Sequence, residues 1–305
     1  MPRAAKPIVV YECEICLKRI SKDAIVCMNC GTTYPAVPAS IVTTPEAFKA
    51  RSEQQRIVRG GAPRLYDVED VPIVRLQTGD PAIDLVTGGG FARGKAYAIH
   101  GPGGSGKSRI ALRAAVCLCA IGHVVYASAS AEEEAKDIRR HAKTAGYFKK
   151  RCVRDRLICF DRIDDPEELV DKIISADPTF VVVDASSALE DDRYAARLLR
   201  DLSHETEITL LGIHHENVDG KMSGGSKLGY LVDAVLDVDR VRKTKKGTIE
   251  RTEEPSAYVR LRSTGKNRYG RPGVFALLEL DDKDGFDHID IDAMKVETKK
   301  RGAAA

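Results

Sequence analysis

Eight consecutive residues carry the most specific chemistry in this chain: Gly101, Pro102, Gly103, Gly104, Ser105, Gly106, Lys107 and Ser108. They fit the pattern GxxxxGK[ST] and lie where that pattern belongs, after the apolar run at 96–100 and ahead of the apolar-rich stretch at 109–118. Glycines let successive backbone N–H groups turn toward phosphate oxygens, and the amino end of the following helix adds a favourable dipole. Lys107 reaches the outer phosphates, and Ser108 offers an oxygen to magnesium. Arg109, next in sequence, is counted with the loop. The ligand this predicts is a nucleoside triphosphate with Mg2+.

A second constellation is Cys13, Cys16, Cys27 and Cys30, two CxxC pairs with ten residues between them. Four thiolates at this spacing fit one tetrahedral zinc ion and leave it no open position, so the site is structural rather than catalytic. The ten residues between the pairs are too few for a core, so metal binding supplies most of the folding energy there. Lys18, Arg19 and Lys22 either meet nucleic acid or protein, or form a solvated basic loop.

Asp184 ends the apolar run at 180–183, which places its carboxylate at the carboxyl edge of a sheet, where it can hold magnesium together with Ser108. Hydrolysis also needs a group that orients water. Glu132 and Glu133 follow the neighbouring strand and are the candidates, although acidic residues suit a first helical turn in any protein. His214, His215 and Glu216 follow another strand, where a polar group can sense the terminal phosphate. Three adjacent residues rarely converge on one ion, so a metal site there is disfavoured. Lys221 and Lys227, in a glycine-bearing loop, suit a segment that follows a nucleic-acid backbone or a plain solvated loop. The acidic cluster near Asp281 lacks the oxygen spacing of a calcium loop.

These groups need a scaffold. The 305 residues are 43% hydrophobic, enough for a substantial core. The net charge of +3 does not by itself call for nucleic acid. Absent tryptophan and 6% aromatic content argue against extended base stacking. Without a long apolar run or a leader-like amino end, the expectation is a soluble, cytoplasmic chain with no membrane partner. Strands at 96–100, 124–128, 156–160, 180–184 and 208–212 alternate with helices near 108–120, 131–145, 166–175 and 191–205, and a short helix lies near 81–86. Apolar strands in strand-helix alternation predict an α/β fold with a mostly parallel sheet covered on both faces. Short strands at 234–240, 257–262 and 274–280 predict an antiparallel carboxyl-terminal extension. The expected organisation is a zinc module at 10–34, a linker at 35–70, the ATPase domain at 71–282 and a flexible tail at 283–305.

Taken in order, the cysteine pairs, Leu76-Gln77-Thr78-Gly79-Asp80, the glycine turn at 87–94, the phosphate loop, the strand ending at Asp184 and Lys266-Asn267-Arg268-Tyr269-Gly270 resemble the bacterial RadA/Sms DNA repair ATPases. The resemblance covers about 10–280. It implies a RecA-like P-loop ATPase core behind a zinc knuckle. The implied function is a DNA-stimulated motor on single-stranded or branched DNA, driving branch migration of recombination intermediates. It implies a homo-oligomer, in the family a hexameric ring, with a recombinase or helicase as partner. Lys266 and Arg268 carry over as the motif's basic pair at a subunit boundary, near nucleotide or DNA.

Three departures qualify the expectation. The family continues into a Lon-protease-like domain, and this sequence stops at Ala305. Ser130 stands where the family has a glutamate, and Glu216 where it has a lysine, a negative charge that would repel a phosphate backbone. Two alternatives therefore stay open: a nucleotide-gated DNA loader or adaptor with weak hydrolysis, and a RecA-like ATPase whose partner is a protein. The zinc expectation is checked by elemental analysis of the purified chain. About one equivalent of zinc is expected, lost on Cys27→Ser.

Overall fold

The structure is a computed structural model. It describes residues 72–129, 134–189, 192–216, 231–281 and 285–295, together with the backbone of three short strands before residue 40. Cys16, Cys27, Cys30, Ser130, Glu132, Glu133, Lys221 and Lys227 lie outside the described residues. The chain divides into two compact units, Met1–Ile73 with Val170–Asp177, and Val74–Leu169 with Pro178–Ala305.

In the first unit β1 (Val10–Cys13), β2 (Arg19–Ile20) and β3 (Ala36–Ala39) form an antiparallel sheet in the order β2-β1-β3. Cys13 stands opposite Ala36, so pairing reaches past residue 34, where the small module was expected to end.

The second unit opens with β4 (Arg75–Leu76), α1 (Pro81–Thr87) and β5 (Phe91–Ala92). Local hydrogen bonding explains the Thr78-Gly79-Asp80 turn. Asp80 caps α1 by accepting from the backbone N–H groups of Ala82 and Ile83. Asp84 reaches back to accept from Thr78 and Gly79. Gly88 ends the helix in the left-handed region at φ 82°. It also lies face to face with a distant glycine, because a Cβ at 88 would stand 2.8 Å from the Gly270 Cα. The Arg75 guanidinium locks this apposition by donating to the carbonyls of Thr87, Gly90 and Tyr269.

The remaining elements are β6 (Ala96–Gly101), α2 (Lys107–Leu118), β7 (Val124–Ser128), α3 (Ala135–Thr144), α4 (Arg151–Arg156), β8 (Leu157–Phe160), α5 (Pro166–Ala176), β9 (Phe180–Asp184), α6 (Asp192–Thr206), β10 (Thr209–His215), β11 (Ala234–Lys243), β12 (Ile249–Arg251), β13 (Tyr258–Asn267), β14 (Phe275–Leu280) and β15 (Phe286–Ile289). Their ten strands make one sheet in the order β15-β14-β13-β11-β6-β10-β9-β7-β8, with β12 on β11. Neighbours from β11 to β8 run parallel, and β12 to β15 add antiparallel pairs. β7 and β9 are buried at every position, as a sheet covered on both faces requires. α2 turns a stripe of Ile110, Ala111, Ala114, Ala115 and Leu118 into the core, where Phe91 packs edge-on against Tyr97 at 4.9 Å.

Several elements depart from expectation: β12 was not foreseen, and β13 runs past 262 to Asn267. α4 precedes β8 and buries Val153 in a stretch whose charges mask the helical pattern. β10 continues to His215. The expected tail instead contains β15, because Phe286 is buried in the core while β15 pairs with β14.

Asp233, fully buried, organises the amino end of β6. It accepts from the Ala96 N–H at 3.1 Å and from Arg268 Nη1 at 3.1 Å, and meets His204 Nε2 of α6 at 2.8 Å. Burial pushes its carboxyl up, but the His204 and Ala96 hydrogen bonds hold it below the usual carboxylate range. Asp233→Asn is expected to cost about 3 kcal/mol in urea unfolding, because it breaks a buried pair. Arg268→Ala should cost about 1 kcal/mol, since that side chain is 54% exposed. An unchanged midpoint for Asp233→Asn would contradict the role given to it.

Candidate nucleotide site

β6 delivers the chain into the phosphate loop, and sterics dictate where the glycines fall. A Cβ on Gly101 would stand 2.1 Å from the Val238 carbonyl oxygen of β11, so only glycine fits. Gly104 and Gly106 adopt left-handed φ of 68° and 92°, and Gly106 caps α2. Lys107, nearly buried, curls back over the loop and donates to the carbonyls of Gly101 at 2.7 Å and Pro102 at 3.0 Å. Its ammonium is therefore held within the loop. The Ser105 hydroxyl is buried and has no hydrogen-bond partner among the described residues.

The loop walls a cavity of about 680 Å³ that takes in Gly103 to Arg109, with His215, Arg240, Ser256 and Leu280 on its other sides. The expected loop residues from Gly103 onward thus share one concavity. Gly101 and Pro102 form its root. His215 comes into this cavity because β10 pairs with β6 and sets His215 beside Gly101.

Asp184 sits at the carboxyl edge of β9 as expected. It is 5% exposed, and the Tyr126 hydroxyl donates to its Oδ2 at 2.6 Å. Ser128 lies in register with Asp184, and its buried hydroxyl also has no hydrogen-bond partner among the described residues. The Ser128 hydroxyl beside the Asp184 carboxylate is an oxygen without a protein partner among the described residues, a pair that suits a hard cation such as magnesium. Among the described residues no three His, Cys, Asp or Glu side chains converge as a metal site.

A row of polar groups crosses the sheet behind the loop. Strand register aligns His214, His100, Asp237 and Arg262 on four adjacent strands. His100 Nε2 pairs with Asp237, and Arg262 Nη2 donates to Asp237 at 2.5 Å. Burial would raise the Asp237 carboxyl, but the His100 and Arg262 hydrogen bonds hold it below the ordinary value. His214 Nε2 meets Ser186 Oγ at 2.9 Å, and that hydroxyl donates to the Ile213 carbonyl. Burial, with His100 and His215 nearby, pushes the His214 imidazole down to about 4.

Glu216 is paired rather than bare. Arg251 donates to it at 2.8 Å and also meets Asp239 at 3.5 Å, while Arg260 donates to Asp239 at 2.7 Å. The repulsion expected of a negative charge at 216 is thus offset within the chain. Asp237, Asp239, Arg251 and Arg240 were not singled out from sequence. Asp237-x-Asp239 opposite Arg260-x-Arg262 was a readable signal, because opposite charges two apart on adjacent strands pair on one face.

Lys266 and Arg268 fall at the other end of the sheet. Asn267 stands opposite Ala234, and Ala234 beside Tyr97, so the motif flanks the start of β6 while the phosphate loop follows its end. That length of strand is about 17 Å at about 3.3 Å per residue. Burial and the neighbouring Arg268 lower the Lys266 ammonium. The pair therefore stands away from its own chain's loop.

No family model matches the chain. It is 26% identical over 297 residues to the DNA repair protein RadA of Brucella abortus, covering 91% of this chain and 59% of the relative. Against the RadA of Campylobacter jejuni it is 27% identical over 284 residues, covering 90% and 60%. The RecA protein of Synechococcus is 25% identical over 259 residues, with 70% and 66% covered. The chain is homologous to the RadA DNA repair proteins and to a RecA protein. It spans about 59% of the length of the Brucella relative. Two solved structures share the fold. The KaiC-like protein PH0186 of Pyrococcus horikoshii gives a TM-score of 0.54 at 20% identity, covering 72% of this chain and all of that one. The RadB recombinase gives 0.54 at 19% identity, covering 70% of this chain and all of that one. No helix among the described residues is long and apolar enough to cross a membrane.

The lowered His214 value sets a pH dependence. Its unfolded form takes up a proton near 6.5, the folded form only near 4, so stability is complete above about pH 6.5 and falls as the pH drops toward 4. The expected loss over that window is about 3 kcal/mol, and His214→Asn should flatten it in urea titrations at each pH.

Proposed function

We propose that the chain is a DNA-stimulated ATP hydrolase of the RadA/Sms type, acting on recombination intermediates by branch migration or single-strand processing. The observation that carries this is the phosphate loop at one end of β6 and the Lys266 to Gly270 motif at the other. A basic pair about 17 Å from its own loop serves another copy's nucleotide or DNA. The reading therefore includes a homo-oligomer.

In this reading the loop N–H groups and the amino end of α2 cradle the phosphates, and Lys107 leaves the Gly101 and Pro102 carbonyls for the outer phosphates. Ser108 and Asp184 hold magnesium, which when bound shields phosphate charge. The Tyr126 hydroxyl keeps Asp184 oriented. His215 reports the terminal phosphate to the chain leaving β10. Glu132 or Glu133 orients the attacking water, and Lys266 and Arg268 from a neighbouring copy neutralise transition-state charge. Lys221 and Lys227 follow the DNA backbone. Cys13, Cys16, Cys27 and Cys30 hold a structural zinc, and the setting is cytoplasmic, alongside a recombinase or helicase.

Ser130, in place of the family's glutamate, favours a second reading in which the chain loads or gates DNA with weak turnover. One assay separates the two: ATP hydrolysis with and without single-stranded DNA for the parent, Lys107→Ala and Lys266→Ala. The proposal expects DNA stimulation in the parent and a loss of about 100-fold or more in both variants. Hydrolysis indifferent to DNA would sink it. Tight binding of ATP and DNA without turnover would install the loader instead.

A further inference from the structure

The cavity beside the phosphate loop contains a cation that the phosphate-loop pattern does not supply. Arg240 projects from β11, with Thr252 N–H bound to its carbonyl, so its backbone is fixed by the β11–β12 pairing. Its guanidinium lies against the middle of the loop. Nε and Nη2 both donate to the Gly104 carbonyl, at 3.1 Å and 2.6 Å. Gly104 leaves room for this close approach, since a Cβ at 104 would stand 2.6 Å from Nη2 and push the guanidinium aside.

An arginine carries five N–H donors in a rigid fork, and Gly104 uses two of them. The rest have no protein partner among the described residues, and Arg240 lines the same cavity as Gly103 to Arg109. Other arginines nearby are committed elsewhere: Arg260 and Arg262 to Asp239 and Asp237, and Arg251 to Glu216. Asp237 and Asp239 lie on the alternate positions of β11 and pair across the sheet with those arginines. Arg240 is left facing the loop.

We infer that Arg240 binds the phosphate chain of the nucleotide directly, as an arginine supplied in cis by β11. This rests on the reading of the cavity as a nucleoside triphosphate site. With two donors anchored on Gly104, the guanidinium is already oriented before a ligand arrives, which lowers the cost of ordering it on binding. The remaining donors offer a charge-assisted contact to a phosphate oxygen. Lys107 covers the loop from its root and Arg240 from its centre, so the two cations approach the ligand from different elements, a helix and a strand.

A bland alternative is that Arg240 only props the loop. The variants Arg240→Ala, Arg240→Gln and Arg240→Lys separate the two, with N-methylanthraniloyl-labelled ATP, ADP and adenosine as probes and thermal melting to confirm folding. Glutamine keeps a neutral donor for the Gly104 carbonyl and removes the charge. The inference expects Arg240→Gln to bind labelled ATP and ADP about 10-fold more weakly than the parent, close to Arg240→Ala, with Arg240→Lys between. It also expects the salt dependence of ATP affinity to become shallower in Arg240→Gln, and adenosine binding to stay the same. Parent-like ATP affinity and salt dependence in Arg240→Gln would overturn it. Lys107→Ala in the same panel isolates the underlying reading. If the parent itself fails to bind ATP, the phosphate-loop reading falls and the inference with it. If the parent binds and Lys107→Ala does not, while Arg240→Gln matches the parent, the inference alone falls.

Discussion

A single sealed carboxylate holds the amino end of the central strand in place. Asp233 has no exposed side-chain surface, so its charge survives only because Ala96, His204 and Arg268 surround it. Those three partners belong to β6, α6 and the turn after β13. The same contact that satisfies Asp233 therefore fixes the strand that feeds the phosphate loop, the helix behind it and the basic motif. Placing the loop and the motif at opposite ends of β6 is a consequence of this arrangement rather than an independent feature.

Charge is distributed along the sheet with a clear division between faces. On β11, Asp237 and Asp239 meet arginines across the antiparallel pair, while the alternate position 240 meets the phosphate loop. The strand's two-residue period thus separates a structural set of ion pairs from a residue available to a ligand. His100 joins the structural set, and His214, neutral at ordinary pH, packs against Ser186. Glu216 shows the same economy of pairing, since Arg251 neutralises it where a lysine was expected.

Much of this was legible in the sequence. The parallel half of the sheet could be read because β6, β7 and β9 are short apolar runs ended by loop residues, and covered strands leave that trace. The phosphate loop and Asp184 follow from the same punctuation. Ion pairs between distant strands were harder, because register decides which charges face each other and register is not a local property. Arg240 illustrates this: in sequence it is one basic residue in a run of charges, and only the pairing of β11 with β6 brings it to Gly104. Burial of Phe286 likewise turned an acidic-looking tail into an edge strand.

The two facing glycines at 88 and 270 carry a further implication. A side chain at 88 would enter the backbone at Tyr269 and Gly270, one at 270 would press on Gly88 and strike the Asn267 side chain, and Arg75 binds the carbonyls around both. The glycine turn after α1 and the motif at the end of β13, remote in sequence, are therefore one structural unit. Neither can drift alone, and a change in one should be found only in chains where the opposing turn has moved as well.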